Sequence, residues 1–267
     1  MINFLRIPGH YQLRRYFRAG LRSQLLELIS TRDLEKEIHG ILVSGIRRFP
    51  RAKPLKMVRI LKNRFSSCAT ALEEIKRYRT LLTFLGSDFV AQSEEFIVEH
   101  REKDQNHILL CGLQEYIEGT ILDPWHLSGE SSLEHFYIPN PETTTQEFTR
   151  QAVSDIKGFV GAITAMVKQT GLIPDLAGDG NLMLSHRGRL KLVDINNIIK
   201  IKPGPEIQLD DKGYPCCDKS MEVLSILGHK IARIQSPLVD DPFLGKFFDL
   251  ERRQRVNELE QAFYQNL

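Results

Sequence analysis

Cysteine is scarce in this sequence of 267 residues, and its four thiols follow no metal-binding spacing. No Cys-x-x-Cys motif occurs, and the adjacent Cys216 and Cys217 are poorly placed for a disulfide or a zinc site. The chain has no run of about 18 apolar residues, which excludes a membrane-spanning helix. The segment Met1–Arg6 lacks the long apolar core of a signal peptide. These absences lead us to expect a protein of the reducing cytoplasm.

Aromatic residues make up only 8% of the chain, and acidic residues are rare in its first part. Residues 1–82 hold 18 Lys and Arg against 6 Asp and Glu, a net charge of +12, although the whole chain carries +2. The remainder therefore carries −10. A basic part suits a polyanion such as nucleotide phosphate, nucleic acid or an acidic membrane surface, and an acidic part suits Mg²⁺. Because aromatic side chains are not interleaved with the cations, the pattern favours solvated helix faces over a nucleic-acid groove.

Residues 172–198 form a polar loop between short apolar runs. Leu182–Leu184 and Leu190–Val193 are predicted strands, and Gly188 is expected to close a tight hairpin between them. Antiparallel pairing brings the start of the first strand beside the end of the second. Four polar residues are gathered by this pairing: Asp175, Asp179, Asn181 and Asp194. Such oxygen ligands favour a hard cation, although an ordinary hairpin with Asx-type turns would use the same residue types.

This stretch resembles the catalytic and metal-binding loops of the protein kinase-like superfamily, most closely its small aminoglycoside-phosphotransferase and RIO types. The resemblance implies that Asp175 is the catalytic base and that Asn181 and Asp194 bind Mg²⁺. Ile173 and Pro174 stand where the family usually has a His-Arg or His-Gly pair. Asn181 lies six rather than five positions past Asp175, and no Gly follows Asp194.

The resemblance also implies a nucleotide-binding small lobe, in which a strand cation contacts phosphates and pairs with a helix Glu. Alternation predicts a strand over Leu55–Lys62, and helical spacing predicts a helix over Ala69–Leu85. By position, Arg59 takes the place of the family's Lys, and Glu74, or alternatively Glu73, takes that of the Glu. We therefore predict an ion pair between Arg59 and Glu74.

Two further nucleotide contacts are implied by the resemblance. The phosphate-covering loop falls at Gly40–Gly45, although no Gly-x-Gly-x-x-Gly motif is present. His107–Gly119 is predicted to be the strand that leads into a hinge. There the backbone of Glu115, Tyr116 and Ile117 would contact the adenine of ATP.

Residues 11–29 carry apolar side chains at spacings of three and four, which predicts an amphipathic helix. The apolar stripe consists of Leu13, Phe17, Leu21, Leu25 and Leu28. Such a helix usually packs on its own domain, and binding in a membrane interface is the alternative. We therefore predict three parts: a helical extension over residues 1–33, a small lobe over 34–117 and a large lobe over 118–267.

The large lobe is predicted to contain three long helices around a polar segment. The first spans Gln146–Thr170 and ends at Gly171. Lys200–Tyr214 is polar and resembles a substrate loop of the family. The helix after it should begin at Asp218, which we expect to be buried and to accept backbone N–H bonds as an N-cap. A last helix is predicted over Pro242–Tyr264.

Together these expectations describe an α+β fold, a two-lobed protein kinase-like fold with a small β-rich lobe and a short helical large lobe. The implied function is phosphoryl or nucleotidyl transfer from Mg²⁺-bound ATP to an acceptor that the sequence does not identify. One alternative is a pseudokinase that kept the fold and serves as a binding or scaffold module. Another is a protein that binds nucleic acid or a membrane surface through its basic part. The presence of Asp175, Asn181 and Asp194 favours the enzyme.

Overall fold

The computed structural model describes residues 5–17, 20, 22–102, 105–202, 204–234, 239–242 and 244–265. It has a mixed α+β fold whose chain divides into two compact units. The first unit consists of residues 1–76 and 91–116, and the second of residues 77–90 and 117–267. Along the chain, the first unit ends at Tyr116 and the second resumes at Ile117.

The first unit is built around an antiparallel sheet. Its elements in chain order are β1 (Tyr11–Arg15), β2 (Ser23–Ser30), α1 (Thr31–His39), β3 (Ile41–Val43), β4 (Ile46–Arg48), β5 (Lys56–Leu61), α2 (Cys68–Phe89), β6 (Ser93–Glu102) and β7 (Gln105–Glu115). Five strands pair in the order β1-β2-β5-β7-β6, and β3 and β4 form a separate hairpin. Helix α2 is interrupted at Gly86, and its residues from Arg77 onward belong to the second unit.

Strand β5 and helix α2 confirm the strand predicted over Leu55–Lys62 and the helix predicted over Ala69–Leu85. The side chains of β5 alternate between the two faces of the sheet, as the pleat requires. Val58 and Ile60 belong to an apolar cluster on one face, and Arg59 therefore lies on the other. Three buried residues complete this cluster: Leu26, Leu109 and Cys111.

The prediction of a helix over residues 11–29, and with it a helical extension over 1–33, was wrong. The segment forms β1 and β2, which pair with Leu13 opposite Leu28. Strand β2 also pairs with β5, with Leu26 opposite Val58. These pairings between distant residues bury the leucines on one sheet face, and such tertiary contacts outweigh a local helical spacing. Leu21 of the predicted stripe lies outside the described residues.

The second unit combines helices with short antiparallel strands. Its elements in chain order are β8 (Gly119–Ile121), α3 (Thr145–Thr170), β9 (Leu172–Pro174), β10 (Leu182–Ser185), β11 (Leu190–Leu192), β12 (Ile198–Lys200), α4 (Cys216–Ile226) and α5 (Leu250–Gln265). Its 3-10 helices lie at Pro124–His126, Glu130–Phe136 and Gly245–Phe248, and a π-helical turn lies at Leu227–Ile231. Strand β10 pairs with β11 and β8, and β9 pairs with β12.

Helix α3 is the central element of the core of this unit, and it confirms the helix predicted over Gln146–Thr170. It begins with a capping box, in which Thr144 and Glu147 exchange side-chain and backbone hydrogen bonds. It ends at Gly171, as predicted. Its apolar side chains recur every three or four positions and are buried at Phe148, Ile156, Phe159, Ile163 and Met166. Burial of each such side chain contributes about 1.5–3 kcal/mol to stability.

The predicted hairpin is confirmed by β10 and β11, with Leu182 opposite Leu192. Gly188 closes it with a φ of 76°. A Cβ on this residue would lie 2.4 Å from the carbonyl oxygen of Phe148, so space as well as backbone conformation requires glycine. Met183, between the buried residues of β10, is only half-buried.

The last helices begin at different residues from those predicted. Helix α4 begins at Cys216 with Pro215 at its N-cap, so Asp218 lies inside the first turn rather than at the cap. The helix predicted from Pro242 begins at Leu250 as α5, and a 3-10 helix precedes it. Asp249 marks that boundary, because its carboxylate accepts the N–H of Glu251 at 2.9 Å.

Candidate functional site

In the second unit, strand pairing holds the loop after β9 and the loop after β11 together. Strand β12 pairs with β9, and beyond that pairing the N–H of Asp175 donates to the carbonyl oxygen of Asn197 at 2.8 Å. The N–H of Val193 donates to the carbonyl oxygen of Asn181 at 2.8 Å, which extends the β10–β11 hairpin by one bond. Backbone hydrogen bonds therefore hold both loops in place, and with them the polar residues that they carry.

Asp175 is the first residue of the loop after β9, and its carboxylate is held at both oxygens. Oδ1 accepts the N–H groups of Ala177 at 3.0 Å and Gly178 at 3.1 Å, which is an Asx-type turn. Oδ2 accepts the side-chain amide of Asn197 at 3.0 Å. Oδ1 thereby uses both of its lone pairs, whereas Oδ2 keeps a second one, at which the group can still accept a proton or a hydroxyl hydrogen bond.

Asn181 is buried beneath this loop, with 7% of its surface exposed. Its Nδ2 donates to the backbone carbonyl of Asp175 at 3.0 Å, which fixes the orientation of the amide. A Cβ on Gly178 would lie 2.5 Å from that nitrogen, so the loop requires glycine there. Since none of the described residues donates to Oδ1, this oxygen is an oriented candidate ligand for a hard cation.

Asp194 follows Val193 and is therefore the next residue beyond the hydrogen bond to Asn181. Its Oδ1 accepts the N–H of Asn196 at 3.2 Å, and the residue is half-buried. The hairpin places Asn181 beside Val193, the residue before Asp194, as predicted, and a loop hydrogen bond joins Asn181 to Asp175. That Asp175, Asp179, Asn181 and Asp194 all converge stays a prediction. Their roles as base and metal ligands stay predictions.

The donor set of these loops consists of oxygens. In the part of the chain that the structure describes, no three His, Cys, Asp or Glu side chains are grouped so that they could hold a metal ion. An ion here would use the amide oxygen of Asn181 and the carboxylate of Asp194, with phosphate and water completing its shell. This is the pattern of Mg²⁺, which takes one or two carboxylates and keeps several waters or phosphate oxygens.

Polar residues outside the predicted set support the loop of Asp175. The Oγ of Ser220, on α4, accepts the N–H of Leu176 at 3.0 Å and is fully buried. The side-chain amide of Asn197 also lies 3.5 Å from the Sγ of Cys216. Burial, and then the charge of Asp175, raise the pKa of the Cys216 thiol. Neither Asn197 nor Ser220 was predicted from the sequence, because no local pattern links either residue to this loop.

Asp218 is buried as predicted, but the prediction that it accepts backbone N–H bonds was wrong. Its two oxygens accept Nε and Nη2 of Arg252 at 2.5 and 3.1 Å, and Ser220 binds the loop instead. Because α4 begins two residues before Asp218, this carboxylate is not at the N-cap position whose side chain meets the free amides. A guanidinium from α5 compensates its charge, and Nη1 of Arg252 also donates to the carbonyl oxygen of Gly204 at 2.7 Å.

Helix α5 makes further contacts with the segment predicted as a substrate loop. The hydroxyl of Tyr214 donates to Glu260 at 2.8 Å; burial, and then this bond, raise the pKa of Tyr214. Lys219 of α4 forms ion pairs with Glu222 at 2.8 Å and with Glu260 at 2.9 Å. The end of the loop and the start of α4 are therefore both held by one carboxylate of α5.

In the first unit, Arg59 is 2% exposed and its Nη2 donates to Oε1 of Glu95 on β6 at 2.5 Å. The predicted ion pair with Glu74 was wrong, and the alternative Glu73 pairs with Lys76 at 2.7 Å. The strand pairing explains the difference. Arg59 and Glu95 lie on the same face of the sheet, on the two strands that flank β7.

Gly112 is the residue of β7 that lies between this pair, opposite Arg59 on one side and Glu95 on the other. A Cβ there would lie 2.5 Å from Oε1 of Glu95 and 2.7 Å from Nη2 of Arg59. Glycine therefore leaves the space through which the two charges meet. Nε and Nη1 of Arg59 are buried without a hydrogen-bond partner among the described residues. A phosphate contact by Arg59 stays a prediction.

The residues predicted to contact adenine follow the end of β7. The N–H of Glu115 donates to the carbonyl oxygen of Gln92 at 2.7 Å, so this amide is already used within the first unit. Tyr116 and Ile117 come after the strand, and Ile117 is buried. The expected phosphate-covering segment, Gly40–Gly45, includes β3 and the turn to β4, and their hairpin is separate from the five-stranded sheet.

Comparison of the sequence with protein-family models and with curated proteins finds no match. Among the described residues, no helix has both the length and the apolar character needed to cross a bilayer.

Proposed function

We propose that this protein is a divergent kinase-like phosphotransferase with a two-lobed fold. It would transfer a phosphoryl or nucleotidyl group from Mg²⁺-bound ATP to an acceptor hydroxyl. The observation that carries the proposal is the hydrogen bonding in the second unit that joins Asn181 to Asp175 and to Val193, the residue before Asp194. A carboxylate base and two oxygen ligands on adjacent loops are what phosphoryl transfer requires, because its catalysis consists mainly of positioning and charge stabilisation.

The order of elements in the first unit supports the same proposal. A strand with a buried cation, β5, is followed by a helix, α2, and then by the last two strands of an antiparallel sheet. This is the order that the small lobe of the kinase-like superfamily requires. It favours nucleotide binding by the first unit, with Tyr116 as a candidate adenine contact.

Each residue of the loops has a distinct role in the proposed reaction. Asp175, oriented by its Asx-type turn and by Asn197, would bind the acceptor hydroxyl and take its proton. Asn181 and Asp194 would hold the metal. When bound, Mg²⁺ would offset the negative charge of the transferring phosphate. Ser220 would keep the backbone after Asp175 in place.

Calorimetry with Mg·ATP on the variant Asp194→Ala tests the metal role. We expect at least a tenfold loss of affinity with little change in the melting temperature, since Asp194 is half-buried and its Oδ1 caps a local turn. The matched control is Asp211→Ala, which removes an exposed carboxylate from the polar segment between β12 and α4. Unchanged affinity in Asp194→Ala would remove the metal role, and a collapse of the melting transition would assign it a structural one.

One observation favours a pseudokinase as the second candidate. The cation at the place of the family's Lys, Arg59, is buried in an ion pair with Glu95. A turnover assay with a panel of hydroxyl acceptors, read as ATP consumption, separates the two candidates. An enzyme loses its turnover in Asp175→Asn but keeps Mg·ATP binding, whereas a pseudokinase binds the nucleotide equally in both proteins and consumes none.

A further inference from the structure

One segment of the first unit has no buried side chains. None of the side chains of α1 is buried, and every residue from Ile41 to Pro50 is exposed. We call residues 41–50, which contain β3 and β4, the apolar hairpin. It carries five large apolar side chains that are 37–68% exposed: Ile41, Leu42, Val43, Ile46 and Phe49. A contiguous exposed group of this kind marks a surface that binds something.

The two faces of the apolar hairpin both carry apolar side chains. Val43 lies opposite Ile46 on one face, and Leu42 lies opposite Arg47 on the other. A two-stranded hairpin with three residues in each strand is marginally stable in water on its own. An occupant that surrounds the ribbon would cover its apolar groups better than one that touches a single face.

The base of the apolar hairpin is fixed to α1. The guanidinium of Arg47 donates to the carbonyl oxygen of His39 at 2.7 Å. A Cβ on Gly40 would lie 2.8 Å from Cγ of Arg47 and 2.9 Å from the carbonyl oxygen of Arg48, so the chain crosses closely there. The exposed side chains are therefore presented on a defined support rather than on a loose loop.

Along the sequence, the residues that flank the apolar hairpin carry charge of one sign, although in space the carboxylate of Glu27 lies 3.7 Å from Arg51. Residues 38–72 contain eight Lys and Arg and no Asp or Glu. Four of these cations lie within the hairpin or within three residues of it: Arg47, Arg48, Arg51 and Lys53. The side chain of Arg48 forms no ion pair or hydrogen bond with the described residues, although its backbone pairs with Ile41. A partner that is complementary to the apolar hairpin and its cations is therefore anionic at its surface and apolar in its interior.

We propose that the apolar hairpin docks on an anionic lipid surface. Leu42, Val43 and Ile46 enter the boundary between headgroups and acyl chains, and Arg48 contacts lipid phosphates. Acyl chains surround an inserted ribbon and so cover both of its faces, which a single protein surface does not. The outward backbone N–H and C=O groups of a two-stranded ribbon need water or headgroups as partners, and this limits insertion to the interfacial region. The proposal is independent of the proposed function.

Cosedimentation of the full chain with vesicles tests this docking. The vesicles are pure phosphatidylcholine or phosphatidylcholine with about one quarter phosphatidylserine. We expect binding to the anionic vesicles that weakens as salt is added. The double variant Leu42→Ser/Ile46→Ser should reduce the partition coefficient at least tenfold. Its matched control is Ile138→Ser/Leu250→Ser, which removes two equally exposed apolar side chains from the second unit.

A second pair of variants tests the charges. Arg48→Gln should weaken partitioning about fivefold, as one cation near an anionic surface contributes about that factor. Arg255→Gln, which removes an exposed cation from α5, should not change it. The proposal is overturned if the chain ignores anionic vesicles or if Leu42→Ser/Ile46→Ser binds them as tightly as the parent. Binding of polyglutamate or RNA by the same cations without vesicle binding also overturns it.

Discussion

Each unit of this protein contains an arginine paired with a carboxylate whose side chain is buried, and these two pairs differ in how completely their charges are satisfied. In the first unit, Arg59 gives one nitrogen to Glu95 and leaves Nε and Nη1 buried without partners among the described residues. In the second unit, Arg252 binds both oxygens of Asp218 and also the carbonyl oxygen of Gly204. The side chains of Arg59 and Arg252 are 2% and 10% exposed.

The difference follows from what surrounds each pair. Arg59 reaches across a strand through the space left by a glycine, and a sheet face offers few further acceptors because its carbonyls bond within the sheet. Arg252 lies where a helix meets an irregular segment, whose carbonyls have no fixed partners of their own. A guanidinium paired with a carboxylate thus forms an isolated link between two strands in the case of Arg59 and joins several segments in the case of Arg252.

Removing Glu95 should have the largest effect. Glu95→Ala leaves the Arg59 guanidinium buried and uncompensated, so we expect a loss of about 3–5 kcal/mol. Hydrogen exchange of peptides from β5 and β7 measures this loss of stability. Fluorescence would not report it, because the only tryptophan, Trp125, belongs to the second unit.

Two controls sharpen this result. Glu94→Ala removes the exposed neighbour of Glu95 on the same strand and should change stability by less than about 0.5 kcal/mol. The double variant Arg59→Met/Glu95→Leu removes both charges and should recover most of the loss. A double variant as unstable as Glu95→Ala would mean that packing around Gly112, rather than charge, dominates this part of the sheet.

Removing Asp218 should have a smaller effect, because Arg252 keeps its other acceptor and lies closer to water. We expect Asp218→Ala to cost about 2–3 kcal/mol. Denaturant unfolding followed by Trp125 fluorescence reports the second unit directly. Asp240→Ala, which removes an exposed carboxylate, is the control. If Asp218→Ala lost as much stability as Glu95→Ala, the two ion pairs would not differ in the way proposed.

Alkaline pH should destabilise both units through their buried thiols. Burial, its largest cause, raises the pKa of Cys217 from 9.0 to about 12 and that of Cys111 to about 11. A raised pKa of the folded state means that this stability is fully present below pH 9 and is lost as pH rises towards the folded value. Each such thiol contributes a slope of about 1.4 kcal/mol per pH unit in that window.

Cys217→Ala tests this slope in the second unit. The test covers pH 9 to 11, the range between the ordinary and the raised pKa values of the thiols. Over this range, the free energy of unfolding of the variant, measured by Trp125 fluorescence, should fall less steeply with pH than that of the parent. Cys111→Ala should leave the Trp125 fluorescence transition unchanged. It should instead reduce the loss of hydrogen-exchange protection that β7 shows at alkaline pH. Identical slopes in parent and Cys217→Ala would show that other groups govern the alkaline transition.

Much of the second unit could be predicted from local pattern. Helix α3, its stop at Gly171 and the hairpin closed by Gly188 were all predicted, because each is governed by residues close in sequence. The position of Asn181 beside the strand end that precedes Asp194 followed from antiparallel pairing, whereas its bond to Asp175 is a contact within one loop. The residues that support them, Asn197 and Ser220, had no local signal, since their partners lie 22 and 44 positions away.

The first unit shows where local pattern is insufficient. Leucines of residues 11–29 satisfy a helical spacing, yet Leu26 is buried only because β5 lies beside β2. The partner of Arg59 could not be predicted, because Glu95 becomes its neighbour only when β5 and β6 lie on either side of β7. The sequence by itself determined the short-range elements, whose turns and caps depend on neighbouring residues. Only the tertiary structure decided which strands pair and which buried charges meet, because those contacts depend on burial between distant segments.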